Sequence, residues 1–534
     1  MKKIITLFKS LLLILAIGFS SLVNAQVNTW TLVNGTDAVT NVKPVYGTKG
    51  QAAASNTPGS RSEPITWVDA DNNLWLFGGY AVNGTSLHFC DLWKYSITSN
   101  MWTWVSGDST TNQLGNYGTK GATSDTTFPQ SRDGGEGWRD NQGNLWLFGG
   151  FNTTGSYYTY LNDLWKYTIS SNEWTWVSGD SGYGSSHGLH GVKGVGSATT
   201  IPGGRSDFIA WADQSGLIWL FGGYGLDAKG STGRQNDLWQ YNPVNNIWTW
   251  VGGDSVELVP PSYGTLYKPS LTNKPGDRTT NTGWIDKSGN LWLLGGFCIL
   301  RTTGGYCNDL WKYNIAANEW TWMSGSDSTF QNGIYGTQGI PDSANTPGAR
   351  EYAMSWTDSN GDFWLYGGYN YGTSANVWND LWKYSVATSE WTWVGGSNIS
   401  NPASVSSTPD ARNDAGSWTD NNGVFWLYGG SNNNGKMLAD LWGYTPPANL
   451  LAVTGPTSST SSLTIAPNPN NGQFTVTLPQ ASQITIYNSL GKLVVTKNLQ
   501  AGQQQLNLGN QPAGMYSIVV TGEQEQQAVK FIVE

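Results

Sequence analysis

The stretch Leu145-Trp146-Leu147-Phe148-Gly149-Gly150 decides the fold, because close variants of it occur six times in the chain. The copies end in glycine pairs at 78–79, 149–150, 222–223, 295–296, 367–368 and 429–430. Aromatic and branched residues on both sides of the run indicate a strand that is buried on two faces. The glycine pair permits backbone angles and close contacts that a Cβ would block. The chain is therefore an internal repeat, and the repeat sets the fold.

Other residues keep a fixed distance from each glycine pair. An arginine lies 18 residues before the second glycine, at Arg61, Arg132, Arg205, Arg278, Arg350 and Arg412. A tryptophan follows each arginine after six residues, an Asp-Leu-Trp motif follows each glycine pair, and in five units a Trp-Thr-Trp motif comes next. We name these four strand-like runs a (from the arginine), b (ending at the glycine pair), c (Asp-Leu-Trp) and d (Trp-Thr-Trp). Four short strands repeated six times predict the blades of a β-propeller.

The repeat resembles the kelch family, which includes the central domain of galactose oxidase. The resemblance rests on the glycine pair after run b, on Trp165 and Tyr167 in run c, and on Trp174 in run d. It extends over about residues 28–445 and implies an all-β, six-bladed kelch-type propeller. It implies little about activity, because one fold hosts many functions.

The two ends of the repeat region complement each other. Residues 28–33 look like a run d with no other run before them, whereas the sixth unit has Leu451 where its run d would begin. We therefore predict that the amino-terminal strand pairs with run c of the last unit and closes the ring. An open ring would leave strand edges exposed to aggregation.

Composition and the amino terminus indicate an exported protein. Charged residues make up 12% of the 534 residues and the net charge is −9, which argues against a basic nucleic-acid surface. Met1-Lys2-Lys3, an apolar run from Ile4 to Phe19 and the small-residue site Val23-Asn24-Ala25 predict a signal peptide at residues 1–25. No transmembrane span is expected after its removal; a retained membrane anchor is the alternative.

The propeller is predicted to occupy residues 26–445, followed by a Pro/Ser/Thr-rich linker at 446–462 and a small Ig-like β-sandwich at 463–534. The opening Pro467-Asn468-Pro469, the turn at 487–492, the strand Gly514-Met515-Tyr516 and the end at 530–533 resemble the type A sorting domain of the type IX secretion system of Bacteroidetes. The resemblance implies the secretion machinery as a partner, export, removal of this domain, and release or attachment to surface polysaccharide. An ordinary accessory β-domain is the alternative.

The lengths of the connections predict a binding face. The a–b turns are short and constant, whereas the b–c and d–a connections are long and variable. In an up-and-down blade these long connections emerge on the same side, and function concentrates on loops that a rigid scaffold holds. The Tyr-Gly-Thr motif that recurs in the d–a connections is expected to order these long loops; direct contact with a ligand is the alternative.

Two sets of residues are candidates for ligand binding on that face. The first is the set of six arginines, Arg61, Arg132, Arg205, Arg278, Arg350 and Arg412. In peptide-binding kelch proteins this position lines the mouth of the central channel, so the resemblance implies a ring of guanidinium groups suited to carboxylate or sulfate. The alternative is pairing with nearby acids, namely Glu63, Asp133, Glu136, Asp207, Glu351 and Asp414.

The second set is Tyr369, Tyr371 and Trp378, which lie in the b–c connection of the fifth unit. Trp378 falls outside the repeat positions that hold the other tryptophans. Flat aromatic side chains pack against sugars and apolar peptides, so this loop is a candidate contact surface; local loop packing is the alternative.

Catalytic and metal-binding patterns are weak. His187 and His190 could supply two metal ligands, but a third is not evident. Cys298 and Cys307 flank one b–c connection and are a candidate hairpin disulfide, which leaves Cys90 unpaired. Galactose oxidase-like copper chemistry needs a Cys–Tyr crosslink that these cysteines do not support. We therefore assign no catalytic residue, metal site or cofactor.

The sequence favours a secreted or surface-attached binding protein that takes a glycan or protein ligand on its long-loop face. An extracellular carbohydrate-active enzyme, either an oxidase or a hydrolase, is the alternative. A structural component of the cell surface is a third possibility.

Overall fold

A computed structural model of the chain describes residues 28–533, with gaps at 37–40, 155–156, 182–184, 280–281, 301–302, 373–374, 404, 406, 448–463, 468–469, 479–480, 489–492, 510, 513 and 522–525. The predicted signal peptide at 1–25 and most of the predicted linker lie outside these residues.

The described residues form strands and turns. The strands before the second repeat unit are β1 Trp30–Asn34, β2 Ile65–Val68, β3 Asn73–Phe77, β4 Tyr80–Val82, β5 Ser86–His88, β6 Leu92–Ser96 and β7 Met101–Ser106. Next come β8 Thr123–Ser124, β9 Glu136–Arg139, β10 Leu145–Thr154, β11 Tyr157–Thr168, β12 Glu173–Ser178, β13 Arg205–Ser206, β14 Ile209–Ala212, β15 Ile218–Phe221, β16 Tyr224–Leu226, β17 Thr232–Arg234, β18 Leu238–Asn242 and β19 Ile247–Gly252. The later units contain β20 Arg278–Thr279, β21 Gly283–Ile285, β22 Leu291–Leu300, β23 Thr303–Asn314, β24 Glu319–Ser324, β25 Met354–Thr357, β26 Phe363–Tyr366, β27 Tyr369–Tyr371, β28 Ala375–Val377, β29 Leu381–Ser385, β30 Glu390–Gly395, β31 Arg412–Asn413, β32 Gly416–Thr419, β33 Phe425–Tyr428, β34 Ser431–Asn432 and β35 Leu441–Tyr444. The carboxyl-terminal strands are β36 Thr464–Ala466, β37 Gln473–Leu478, β38 Ser482–Asn488, β39 Leu493–Leu499, β40 Gly502–Asn507, β41 Gly514–Thr521 and β42 Gln526–Val533.

Each repeat unit forms one antiparallel sheet in the order a-b-c-d. The first unit shows the arrangement, with β2, β3, β6 and β7 side by side. Facing tryptophans mark the register, since Trp67 lies opposite Trp75 and Trp93 lies opposite Trp104. Strand a of each sheet lies beside strand a of the next sheet, and β32 of the last sheet returns to β2 of the first. The chain is thus an all-β protein with its sheets arranged around a centre, which is consistent with a β-propeller.

The amino-terminal strand makes the pairing that the sequence predicts. Strand β1 lies antiparallel to β35, with Trp30 opposite Tyr444 and Leu32 opposite Trp442. The Trp30 ring also contacts the rings of Trp356 and Tyr366 in the neighbouring sheet, with centroids 6.1 and 5.1 Å away. The first strand of the domain therefore completes the last sheet.

The repeated tryptophans hold the sheets through both packing and hydrogen bonds. In the first unit the Asp69 carboxylate accepts the indole N–H of Trp75 at 2.8 Å and the backbone N–H of Asn73 at 2.8 Å. The equivalent aspartate does the same in the other units, which explains its fixed spacing. The indole N–H of Trp418 donates to the carbonyl of Trp75 at 3.0 Å and so ties the last sheet to the first.

The carboxyl-terminal residues form two antiparallel sheets of their own. One contains β36, β37 and β40, and the other contains β39, β38, β41 and β42. Alternate residues of these strands share an apolar core, which includes Phe474, Ile486, Ile518 and Phe531. This is the alternation expected of strands with one buried face.

Candidate functional site

The long connections meet on one side of the repeat domain. In the d–a connection after the first unit, the side chain of Asn112 accepts the backbone N–H of His88 at 2.8 Å and donates to the carbonyl of Ser86 at 3.0 Å, both in the b–c hairpin. The short a–b turns contact one another elsewhere: the backbone N–H of Asn421 donates to the Asn72 side chain at 2.6 Å. We call the side that carries the b–c and d–a connections the loop face.

The six arginines do not line this face, so the expectation that they bind a ligand is wrong. The side chains of Arg61, Arg132, Arg205, Arg278 and Arg412 are 0% exposed, and that of Arg350 is 2% exposed. Each forms an ion pair with the aspartate of its own Asp-Leu-Trp motif. Arg132 shows the geometry, with two bonds of 2.7 Å to the Asp163 carboxylate and one of 2.9 Å to the Gly149 carbonyl. The arginines therefore anchor strand a to strand c.

The prediction of which acids pair with the arginines was also wrong, because each guanidinium reaches the aspartate of its Asp-Leu-Trp motif instead. The Asp163 carboxylate also accepts the indole N–H of Trp165 and the hydroxyl of Tyr117, each at 2.7 Å. Tyr117 belongs to the Tyr-Gly-Thr motif, so this motif fastens the d–a connection to the buried ion pair. In the third unit His190 takes the place of the tyrosine and contacts Asp237 at 3.2 Å, which gives that histidine a structural partner.

Trp378 is a member of the repeat after all. It stands two residues before Asp380, as Phe89 stands two residues before Asp91. The half-buried Trp378 ring lies 4.7 Å from the Arg350 guanidinium, and Phe89 lies 4.2 Å from that of Arg61. Its role is therefore to cover the ion pair.

Tyr369 and Tyr371 do lie on the loop face. Tyr371 is 56% exposed. The Tyr369 ring contacts that of Tyr306 in the preceding unit, with centroids 6.0 Å apart, and Tyr306 in turn contacts Phe330. The buried Tyr306 thus connects Tyr369 of the fifth unit to Phe330, which is 46% exposed.

A second repeat feature, which was not predicted from the sequence, surrounds the centre of the loop face. The residue after each glycine pair is aromatic in five units, at Tyr80, Phe151, Tyr224, Phe297 and Tyr369. Each of these residues pairs with the residue that follows the arginine, as Tyr80 pairs with Ser62 and Phe151 with Asp133. A scan of the position after Gly-Gly could have found this ring of aromatic side chains.

The residue two positions after each repeat arginine has an unusual backbone conformation. Its φ is positive in the five units where it is described, at Glu63, Gly134, Asp207, Tyr352 and Asp414. Backbone bonds link these positions around the centre, since the N–H of Glu63 donates to the carbonyl of Asp414 at 2.7 Å and the N–H of Asp207 donates to that of Gly134 at 2.9 Å. Positive φ in a residue other than glycine is strained and clusters at functional sites.

A cavity of about 320 Å³ opens where this central ring meets the first three b–c hairpins. Its rim and walls carry the rings of Tyr80, Phe151, Tyr158, Tyr160 and Tyr224, together with Ser86, Thr153 and Ser206. Its remaining lining residues are His88 and the three acids Glu63, Asp133 and Asp207. We call this the aromatic cavity.

The carboxyl groups of this region resist ionisation. Burial, together with the charges of Asp207, Asp414 and Asp133, raises the pKa of Glu63 well above its usual range. Burial raises the pKa of Asp207 to about 6, and burial with the nearby Asp207 raises that of Glu351 to about 8. The negative charges of the carboxylates at the centre of the loop face are therefore not fully balanced by nearby positive groups.

The three cysteines form one disulfide bond and leave one free thiol. Cys298 and Cys307 form a disulfide between β22 and β23, with Cα atoms 6.1 Å apart. Cys90 is buried and free, and burial raises the pKa of its thiol to about 12. A thiol of this kind is unreactive at neutral pH.

A buried acid elsewhere makes stability depend on pH. Asp277 is 0% exposed, and it occupies the position at which Ser60 and Ser131 accept a backbone N–H. Burial raises the pKa of Asp277 from 3.8 to about 8. The folded state thus holds a proton that the unfolded state releases, so the stability of the wild type falls as pH rises from about 4 to about 8.

We expect Asp277→Ser to stabilise the protein by about 1–3 kcal/mol above pH 8, with little effect near pH 4. Urea unfolding of both proteins at the two pH values measures the difference. Asp71→Ser, at an exposed turn, is the control and should show no such pH dependence. An equal effect of Asp277→Ser at both pH values would contradict the explanation.

The carboxyl-terminal part matches a known family. Residues 464–534 match the model of the family described as "Secretion system C-terminal sorting domain". They are a type IX sorting domain. The protein is therefore secreted and either attached to the cell surface or released, and its sorting domain suggests recognition by the secretion machinery. The described residues contain no helix of the length and apolarity that crossing a bilayer requires.

A search of solved structures finds similarity to the one titled "Structure of YjhT". The two sequences are 14% identical, the match covers 72% of this chain and 95% of that chain, and the TM-score is 0.45.

Proposed function

We propose that residues 26–445 form a six-bladed kelch-type β-propeller which, after export, binds a glycan or protein ligand through its loop face. Support for the architecture comes from six sheets in a-b-c-d order, from the ring of adjacent a strands and from the closing pair of β1 and β35. We also propose that residues 463–534 form an Ig-like β-sandwich and that residues 446–462 are the linker before it.

The aromatic cavity is the observation that carries the binding function. It combines flat rings, hydroxyl groups and uncompensated carboxyl groups in one concave site, and such sites bind ligands. The exposed Tyr371 and the neighbouring Tyr369 extend aromatic surface over the fifth unit, so they remain proposed contacts. The arginines have no part in the proposed site, because their hydrogen bonds are satisfied internally.

The binding function can be tested on glycan and peptide arrays. Tyr158 is 74% exposed, so Tyr158→Ala removes a wall of the cavity without disturbing the core. We expect this variant to lose about tenfold in affinity for the ligands that the wild type binds, since aromatic contacts contribute about 1 kcal/mol or more each. Asp71→Asn, at an a–b turn, should bind as the wild type does. Equal binding by the wild type and Tyr158→Ala would contradict this site.

One observation favours a glycoside hydrolase as a second candidate function. A carboxyl group whose pKa is near 6, as burial makes that of Asp207, can act as a general acid at neutral pH. Hydrolysis of a panel of nitrophenyl glycosides that Asp207→Asn abolishes would support this function. Binding without hydrolysis would leave the binding function.

A further inference from the structure

The walls of the aromatic cavity form a continuous series of rings. The Tyr80 ring lies 5.3 Å from that of His88, and His88 lies 5.8 Å from Phe151. Phe151 stacks on the exposed Tyr158 at 6.0 Å with an interplanar angle of 16°. Ring faces turned toward one space attract cations as well as apolar groups.

Two carboxyl groups converge beside this wall. A Cβ built on Gly134 would lie 2.9 Å from Oδ1 of Asp207 and 3.1 Å from Oε2 of Glu63, so the space beside the glycine is where both oxygens point. The Asp207 Oδ1 atom is buried and has no hydrogen-bond partner, whereas its Oδ2 atom accepts the Ser206 hydroxyl at 2.9 Å. The two carboxyl groups also lie within hydrogen-bonding reach of each other, so in the empty cavity they share a proton, which an entering cation would displace.

The third acid of the cavity is already occupied. Asp133 is 5% exposed and lies 3.1 Å from Nδ1 of His88. The Arg234 guanidinium lies 3.9 Å from the Phe297 ring and 5.5 Å from the Tyr224 ring of the cavity wall, and it favours the charged form of Asp207, but Arg234 is not itself a lining residue. A group that enters the cavity therefore meets Glu63 and Asp207 with no lysine or arginine among the lining residues, and Arg234 is the cation beside the cavity.

The acidic groups of the cavity lie deeper than its aromatic rim, and this arrangement limits the shape of a suitable ligand. The rim residue Tyr158 is 74% exposed, whereas His88 and Asp133 below it are at most 5% exposed. A suitable ligand has a slender apolar stem that passes the rings and a positive charge at its tip. A lysine side chain has this form, because four methylene groups carry an ammonium group with three donors. In the described part of the chain, no group of three or more His, Cys, Asp or Glu residues is arranged to hold a metal ion.

We propose that the aromatic cavity binds the ammonium group of a lysine side chain on a polypeptide ligand, between the carboxyl groups of Glu63 and Asp207. This rests on the proposed binding function of the loop face and assigns the chemical class of its ligand. The cavity thus prefers a positively charged ligand, whereas a ring of arginines would have preferred a negatively charged one.

Titration calorimetry on the full chain tests the proposal with Nα-acetyl-lysine amide and Nα-acetyl-norleucine amide, which has a similar stem without the charge. We expect the lysine amide to bind at least about tenfold more tightly than the norleucine amide. Glu63→Gln and Asp207→Asn should each weaken lysine binding by about tenfold, and the exposed Asp71→Asn should leave it unchanged. Thermal unfolding of each variant checks that it is folded.

Three results would overturn the proposal. Equal binding of the two amides would show that charge is not recognised. Tighter binding of glucosamine than of lysine amide, with the same dependence on Glu63, would assign the cavity to an amino sugar. Failure of every amine, together with array binding that still depends on Tyr158, would remove the lysine assignment and leave the binding function intact.

Discussion

Replacing Arg132 by methionine is expected to destabilise the repeat domain by about 3–5 kcal/mol, because it leaves one member of a buried ion pair without its partner. Both residues of the pair are 0% exposed, so water cannot take the place of the guanidinium. The Gly149 carbonyl would also lose the donor that now lies 2.9 Å away. Denaturant unfolding, followed by tryptophan fluorescence, measures the loss.

The matched control is Arg139→Met, the same chemical change at an exposed arginine whose guanidinium donates to the Val68 carbonyl at 3.2 Å. We expect it to change stability by less than about 0.5 kcal/mol. The double variant Arg132→Met/Asp163→Leu should recover part of the loss, since no charge remains unpaired. Recovery should be incomplete, because Trp165 and Tyr117 lose their acceptor. Equal stability of the Arg132→Met and Arg139→Met variants would contradict a structural role for the arginines.

Much of the fold could be predicted because the same spacing of residues occurs six times in the sequence. The spacing of arginine, tryptophan and glycine pair gave four strands per unit, and the lone run d at 28–33 gave the pairing of β1 with β35 that the structure contains. The sorting domain was equally accessible, since short motifs with fixed residues identify it. Patterns that depend on local spacing are read directly from the chain.

The candidate site was harder to predict because it depends on contacts between units. The arginines were assigned to the channel mouth, but the sequence does not show which carboxylate each guanidinium reaches. The aspartate of Asp-Leu-Trp lies about 30 residues further along, as Asp91 does from Arg61, and it becomes a neighbour only when strands a and c share a sheet. The aromatic cavity likewise combines three units, from Glu63 in the first to Tyr224 in the third.

Removing residues 28–34 is expected to destabilise the last sheet by about 4 kcal/mol, because the partly buried side chains of Trp30 and Leu32 and all the backbone hydrogen bonds of β1 with β35 are lost together. The deletion takes away β1, leaves the edge of β35 without hydrogen-bond partners and exposes Tyr444, whose ring lies 5.1 Å from that of Trp30. Exposed edges pair with other chains, so the truncated protein should also self-associate. Urea unfolding and size-exclusion chromatography report the two effects.

A synthetic peptide of residues 28–36, added in excess, should bind the truncated protein and restore both its stability and its monomeric state. The control peptide carries Trp30→Ala and should restore much less, since the Trp30 ring packs on Trp356 and Tyr366 across the boundary between two sheets. If the truncated chain unfolds at the same urea concentration as the full chain, β1 does not close the domain. If both peptides restore stability equally, then backbone pairing of β1 with β35, and not the packing of Trp30, holds the first and last units together.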